Sequence, residues 1–140
     1  MNGKSVLVIE DDPVDRAFAC AEMRGWGAEV IEAKDGSEGL KAVGEWRKGD
    51  PVRRWPSLIL LDAGLPGMGG LEILKHLREV EETRRVPVIM FSSSAVPEVI
   101  RVAYERGANG YVVKPADAEA YRKAVGAMAA FWLRWNHQPG

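Results

Sequence analysis

The sequence predicts a parallel α/β domain with helices on both faces of its sheet, and three observations carry that prediction. Short apolar runs alternate with amphipathic stretches five times along the chain. Val6–Ile9, Leu58–Leu61 and Val86–Phe91 are nearly continuously apolar, as strands covered on both faces require. Every run is followed by a helical pattern, and such alternation packs as a sheet between two helix layers.

The elements follow in chain order. Val6–Ile9 is the first strand, and Val14, Ala17, Phe18 and Ala21 recur after it at helix spacing. Asp12 before Pro13 reads as an N-cap ahead of a proline at the first helical position. Gly25 and Gly27 bracket the helix end. Ala28–Ala33 is the second strand, with Leu40, Val43 and Trp46 on the next helix and Gly49–Asp50–Pro51 closing it. After the third strand, Leu58–Leu61, the helix carries Ile73, Leu74, Leu77 and Val80. After the fourth, Val86–Phe91, it carries Val96, Val99, Ile100 and Ala103, with Gly107 behind them. Tyr111–Val113 is the fifth strand, followed by Tyr121, Val125, Met128 and Trp132. The charged tract Arg78–Arg85 reads as a solvated helix end and loop.

Composition narrows the class. At 140 residues the chain has the size of one domain, and its 46% hydrophobic and 28% charged residues are those of a globular protein. The lone Cys20 needs no disulfide framework and reads as a small buried or half-buried apolar residue. With 19 basic and 20 acidic residues the net charge of −1 gives no electrostatic reason to bind nucleic acid. No signal-peptide core follows the start and no apolar run spans a bilayer, so a cytoplasmic protein without membrane attachment is expected.

Ligands of an open parallel sheet bind beyond the carboxyl ends of its strands. Glu10, Asp11 and Asp12 follow the first strand, Asp62 the third, Ser92, Ser93 and Ser94 the fourth, and Lys114 and Pro115 the fifth. Carboxylates, a hydroxyl and a lysine therefore converge on one rim. Clustered carboxylates repel unless a cation neutralises them, and hard oxygen donors suit Mg2+. A carboxylate can also attack a phosphoryl group. A metal and Lys114 would offset charge on the transferring oxygens, with a hydrogen bond from Ser92. Asp62, at the end of a central strand, is the best acceptor candidate.

Four segments carry a family resemblance: Val6-Leu-Val-Ile-Glu-Asp-Asp-Pro13, Leu58-Ile-Leu-Leu-Asp-Ala-Gly-Leu-Pro-Gly67, Val86-Pro-Val-Ile-Met-Phe-Ser92 and Gly107-Ala-Asn-Gly-Tyr-Val-Val-Lys-Pro115. Over nearly its full length the chain resembles the receiver domain of two-component response regulators. The resemblance implies a flavodoxin-like (βα)5 three-layer sandwich with strand order 2-1-3-4-5. It implies Asp62 as phosphoacceptor, and Glu10, Asp11, Asp62 and the main-chain carbonyl of Gly64 around Mg2+. Ser92 becomes the switch hydroxyl, Lys114 the partner of the phosphoryl group and Tyr111 the switch aromatic, while Asp12 remains a helix cap. The donor would be a sensor histidine kinase or a phosphotransfer protein, and the readout a conformational change on the face of the fourth helix, fifth strand and fifth helix, passed to a downstream protein target. The domain departs from the family at Gly64, where many receivers carry a polar side chain, and at Ala63 and Gly69.

Residues 1–140 are expected to be a single receiver domain without an output domain, ending in a helix over 117–135. On that helix Tyr121, Val125, Met128 and Trp132 form one apolar stripe, and Ala124, Ala127, Phe131 and Trp135 a second. One stripe can pack on the sheet, so the other marks an interface, with Phe131, Trp132 and Trp135 as candidate contacts. The ending also resembles single-domain regulators associated with phytochrome-type kinases, which implies a homodimer. Two other functions compete. A phosphohydrolase passing through an aspartyl phosphate would want a second Asp where Gly64 stands. A pseudo-receiver that only binds partners would not need Glu10, Asp11, Asp62, Ser92 and Lys114 together. The expected protein is therefore not an enzyme.

Overall fold

The computed structural model describes residues 4–48, 55–65 and 67–138. Among them five strands, β1 (Ser5–Ile9), β2 (Glu29–Ala33), β3 (Leu58–Leu61), β4 (Val88–Ser92) and β5 (Gly110–Val113), form one sheet in the order β2-β1-β3-β4-β5. All pairings are parallel, with Ile9 opposite both Ala33 and Leu61, and Ser92 opposite Val113. The helices are α1 (Pro13–Gly25), α2 (Gly36–Lys48), α3 (Gly70–Glu79), α4 (Pro97–Glu105) and α5 (Ala118–Ala129), the last running into a π-helical turn, Ala130–Trp135. This is the three-layer sandwich and strand order expected from the sequence. The second helix break, Gly49–Asp50–Pro51, lies outside the described residues.

Every residue of β1, β3 and β4 is buried, because helices cover both faces. Alternate side chains feed two cores. Leu7, Ile9, Ile59, Leu61, Val88 and Met90 pack with Val43, Trp46, Ile73, Leu74 and Leu77 on one face. Val6, Val8, Leu58, Leu60, Ile89 and Phe91 pack with Cys20, Met23, Tyr121, Val125 and Met128 on the other.

The structure corrects two readings. On α1 the buried residues are Ala19, Cys20 and Met23, whereas Val14, Ala17, Phe18 and Ala21 are exposed. Both sets recur at helical spacing, and periodicity alone does not choose between them. Nor is Arg78 a solvated helix-end charge. Its half-buried guanidinium donates to the carbonyls of Gly107 (2.9 Å), Thr83 (3.2 Å) and Val86 (2.7 Å) and to Asn109 Oδ1 (2.8 Å), tying α3 to the turn after α4.

Candidate functional site

The site begins with backbone registration at the carboxyl edge of β1 and β3. The amide of Glu10 donates to the carbonyl of Ala33 (2.9 Å), and the amide of Asp62 to that of Ile9 (3.1 Å). Each bond continues a strand ladder by one residue, so the two carboxylates emerge side by side. Asp12 then caps α1, accepting from the amides of Val14 (2.9 Å) and Asp15 (3.0 Å), as its sequence position predicts. Those amides, Asp15's foremost, hold its carboxyl below the usual range. The Arg16 guanidinium fixes the strand end by donating to the carbonyl of Glu10 (2.8 Å).

Carboxylate oxygens of Glu10, Asp11 and Asp62 lie within 4.8 Å of one another. Glu10 and Asp62 are buried and Asp11 is exposed, so the trio has two walls and an open side. Three hard oxygen donors, with no thiolate or imidazole among them, fit a small hard dication. The amide of Gly64 donates to Asp62 Oδ1 (2.9 Å), folding the loop back over the acceptor candidate.

Lys114 closes the site from β5. Its amide donates to the carbonyl of Ser92 (2.8 Å), continuing the β4–β5 ladder. Its ammonium reaches Glu10 Oε1 at 2.5 Å, Asp15 Oδ2 at 3.0 Å and Asp62 Oδ2 at 3.2 Å. Burial pushes the Glu10 carboxyl up to about 7, helped by the charge of Asp62 and opposed by hydrogen bonds from Lys114 and the Asp12 amide. For Lys114, burial alone favours the neutral amine. The bonds to Glu10 and Asp15 and the charge of Asp62 outweigh it and hold the pKa above its ordinary value.

Ser92 is buried at the end of β4, and its Oγ accepts from the amide of Ser94 (3.2 Å). The half-buried Tyr111 donates its hydroxyl to the carbonyl of Ser94 (2.8 Å). The loop after β4 is thereby tied to both side chains that the sequence singles out beside the rim. Phe131 and Trp135 are exposed, whereas Trp132 packs against the core formed with α1 and α5.

The structure thus brings Glu10, Asp11, Asp62, Gly64, Ser92 and Lys114 to one edge and places Tyr111 one loop away. Two contributors have no signal in the sequence motifs. Asp15 belongs to none of the sequence motifs, yet it meets Lys114 across 99 residues of chain. Tyr121 is read only as core, yet its hydroxyl donates to the carbonyl of Asp15 (2.8 Å).

A parallel (βα)5 sandwich with an acidic trio and a lysine at its carboxyl edge is the architecture of a two-component signalling module. The family model described as response regulator receiver domain matches residues 6–126, and the chain belongs to that family. The phosphate regulon transcriptional regulatory protein PhoB of Escherichia coli is 33% identical over 80% of the chain, which spans 45% of PhoB. The Mn2+-bound response regulator Rcp1 superimposes with a TM-score of 0.84 at 26% identity, covering 98% of this chain and 99% of Rcp1. The phosphorylated cyanobacterial phytochrome response regulator RcpA does so with 0.85 at 26% identity, again covering 98% and 99%. Receiver domains bind Mg2+ at an acidic pocket and interact with histidine kinases and downstream targets, and here Glu10, Asp11 and Asp62 form an acidic cluster that could hold a metal ion. Among the described residues no helix is long and apolar enough to cross a membrane.

Proposed function

We propose that the protein is a phosphoryl-accepting response regulator whose acceptor is Asp62. The observation that carries this reading is the Lys114 ammonium 3.2 Å from Asp62 Oδ2, beside two further carboxylates at the same sheet edge. In the transfer, an Asp62 carboxylate oxygen forms a bond to phosphorus. The bond between phosphorus and the donor's nitrogen or oxygen breaks, its electron pair leaving with the donor. The donor in the cell is a sensor histidine kinase, with a phytochrome-type kinase favoured by the likeness to RcpA, or a phosphotransfer protein.

Glu10, Asp11, Asp62 and the Gly64 carbonyl are the groups that would hold Mg2+, with Glu10 acting through water. When bound, the ion offsets negative charge on the transferring oxygens. Lys114 supplies positive charge and hydrogen bonds on the side facing β5. Ser92 would donate its hydroxyl to a phosphoryl oxygen, and its movement would draw on the Ser94 amide that it now accepts from. Tyr111, bonded to the same loop, then biases the surface made of α4, β5 and α5, from which a downstream protein reads the state.

The domain functions as a signalling switch rather than a turnover enzyme, in the cytoplasm, as a homodimer and without contact to nucleic acid or membrane. The test is incubation with Mg2+ and acetyl phosphate followed by intact mass measurement. One added phosphoryl group is expected, and Asp62→Asn should abolish it. Absence of an adduct on the wild type rejects the reading, and rapid release of free phosphate without a stored adduct points to a hydrolase.

A further inference from the structure

The Lys114 ammonium has three protons, and three carboxylates claim them: Glu10, Asp15 and Asp62. A phosphoryl group arriving on Asp62 needs one of these donors, so a bond in the resting arrangement must be given up. The three partners differ in what release costs. Glu10 is buried, with 5% of its side chain exposed, and Asp62 with 10%; neither can be rehydrated where it stands. Asp15 has 31% of its side chain exposed, and water can replace the lysine there.

Asp15 is also held in place independently of Lys114. Its amide donates to Asp12 Oδ1 (3.0 Å) and its carbonyl accepts the hydroxyl of Tyr121 (2.8 Å). An acidic residue in a first helical turn is ordinarily explained by the helix dipole, which asks only for exposure near the N-terminus. That explanation does not require a carboxylate turned to a lysine on β5.

We propose that Asp15 is a positioning residue that restrains Lys114, competing with the incoming phosphoryl group for its ammonium and slowing phosphoryl acceptance. This rests on Asp62 being the acceptor. Lys114 keeps Glu10 and Asp62 as partners when Asp15 is removed, so the lysine stays at the site. What changes is that one proton is free for the new phosphoryl oxygen before transfer.

The test compares adduct formation from acetyl phosphate with Mg2+ in wild type, Asp15→Asn and Asp15→Glu, by intact mass over time. Asp15→Asn should label about three- to fivefold faster, the scale of a partly exposed ion pair. Asp15→Glu, which keeps a carboxylate within reach of the lysine, should stay near the wild-type rate. Simple repulsion between Asp15 and the donor's charge would also give acceleration, but salt would screen it. The acceleration should therefore persist at an ionic strength of about 1 M. Unchanged or slower labelling of Asp15→Asn overturns the proposal, as does acceleration that vanishes in high salt or that Asp15→Glu reproduces in full. An absent adduct on the wild type would instead reject the acceptor assignment, a result separate from these.

Discussion

Gly70, the first residue of α3, packs so tightly against Asp62 that a Cβ placed on it would lie 2.0 Å from the Asp62 carbonyl oxygen. The same Cβ would stand 2.7 Å from the Ala63 Cα and 2.8 Å from the Asp62 carbonyl carbon. These obstacles are backbone atoms, which no rotamer change removes. A side chain at position 70 must push α3 away from the end of β3, and the loop that presents Asp62 moves with it.

Gly70→Ala is therefore expected to cost about 3 kcal/mol, the upper range for overpacking a tight interior site. It should also slow phosphoryl labelling of Asp62, although residue 70 carries no chemistry. Urea unfolding and intact mass measure the two effects. A midpoint at the wild-type value would show that the α3 start adjusts freely and that the close approach is unimportant.

The pH dependence of stability follows from Glu10. Its folded carboxyl is raised from the ordinary 4.5 to about 7, chiefly by burial. A raised pKa means that the folded state holds its proton longer than the unfolded chain. The contribution is then fully present below the unfolded value and is lost as pH rises through 7. Without divalent cations, stability should fall between about pH 5 and about pH 8 by up to about 3 kcal/mol, since each tenfold gain in proton affinity on folding is worth about 1.4 kcal/mol. Glu10→Gln should flatten that fall, because the amide carries no charge to desolvate. Urea midpoints at the two pH values, in the presence of a chelator, provide the measurement. An equal fall in wild type and Glu10→Gln assigns the pH dependence to another group.

The strands and the rim were legible in the sequence for a physical reason. Buried parallel strands must be continuously apolar, and the chemistry-bearing residues must sit where those runs end. Glu10, Asp62, Ser92 and Lys114 each satisfy that rule from their own short segment. The face of α1 was not legible, because its apolar residues fill two stripes. The stripe containing Cys20 and Met23 is the one that packs against Val6, Val8, Leu60 and Val125, and periodicity does not encode that contact. Asp15 and Arg78 were hidden for another reason: Lys114 lies 99 residues from Asp15, and two of the Arg78 partners, Gly107 and Asn109, lie 29 and 31 residues away, at positions that only the folded sheet brings near. The π-helical turn after α5 likewise leaves no mark in composition.

That turn sorts the aromatic residues of the tail. A π-turn is wider than an α-turn and rotates the side chains that follow it. Here Trp132 and Leu133 pack against the core shared with α1, and Arg134 lies over the ring of Trp26 at 4.8 Å. Phe131, edge-on to Trp132 at 4.9 Å, stays 50% exposed and Trp135 72% exposed. Two large aromatics left open beside a packed tryptophan divide the tail into a packed face and an exposed face, the latter being the expected contact face. If the contact face joins two copies, Phe131→Ser with Trp135→Ser should convert a dimer to a monomer by sedimentation equilibrium. The unfolding midpoint of that monomer should change little, since neither residue supports the core. Trp132→Ala should instead destabilise the fold by about 2 kcal/mol, somewhat less than truncating a fully buried aromatic. A wild type that sediments as a monomer, or a doubly substituted chain that remains dimeric, would remove the tail from the interface.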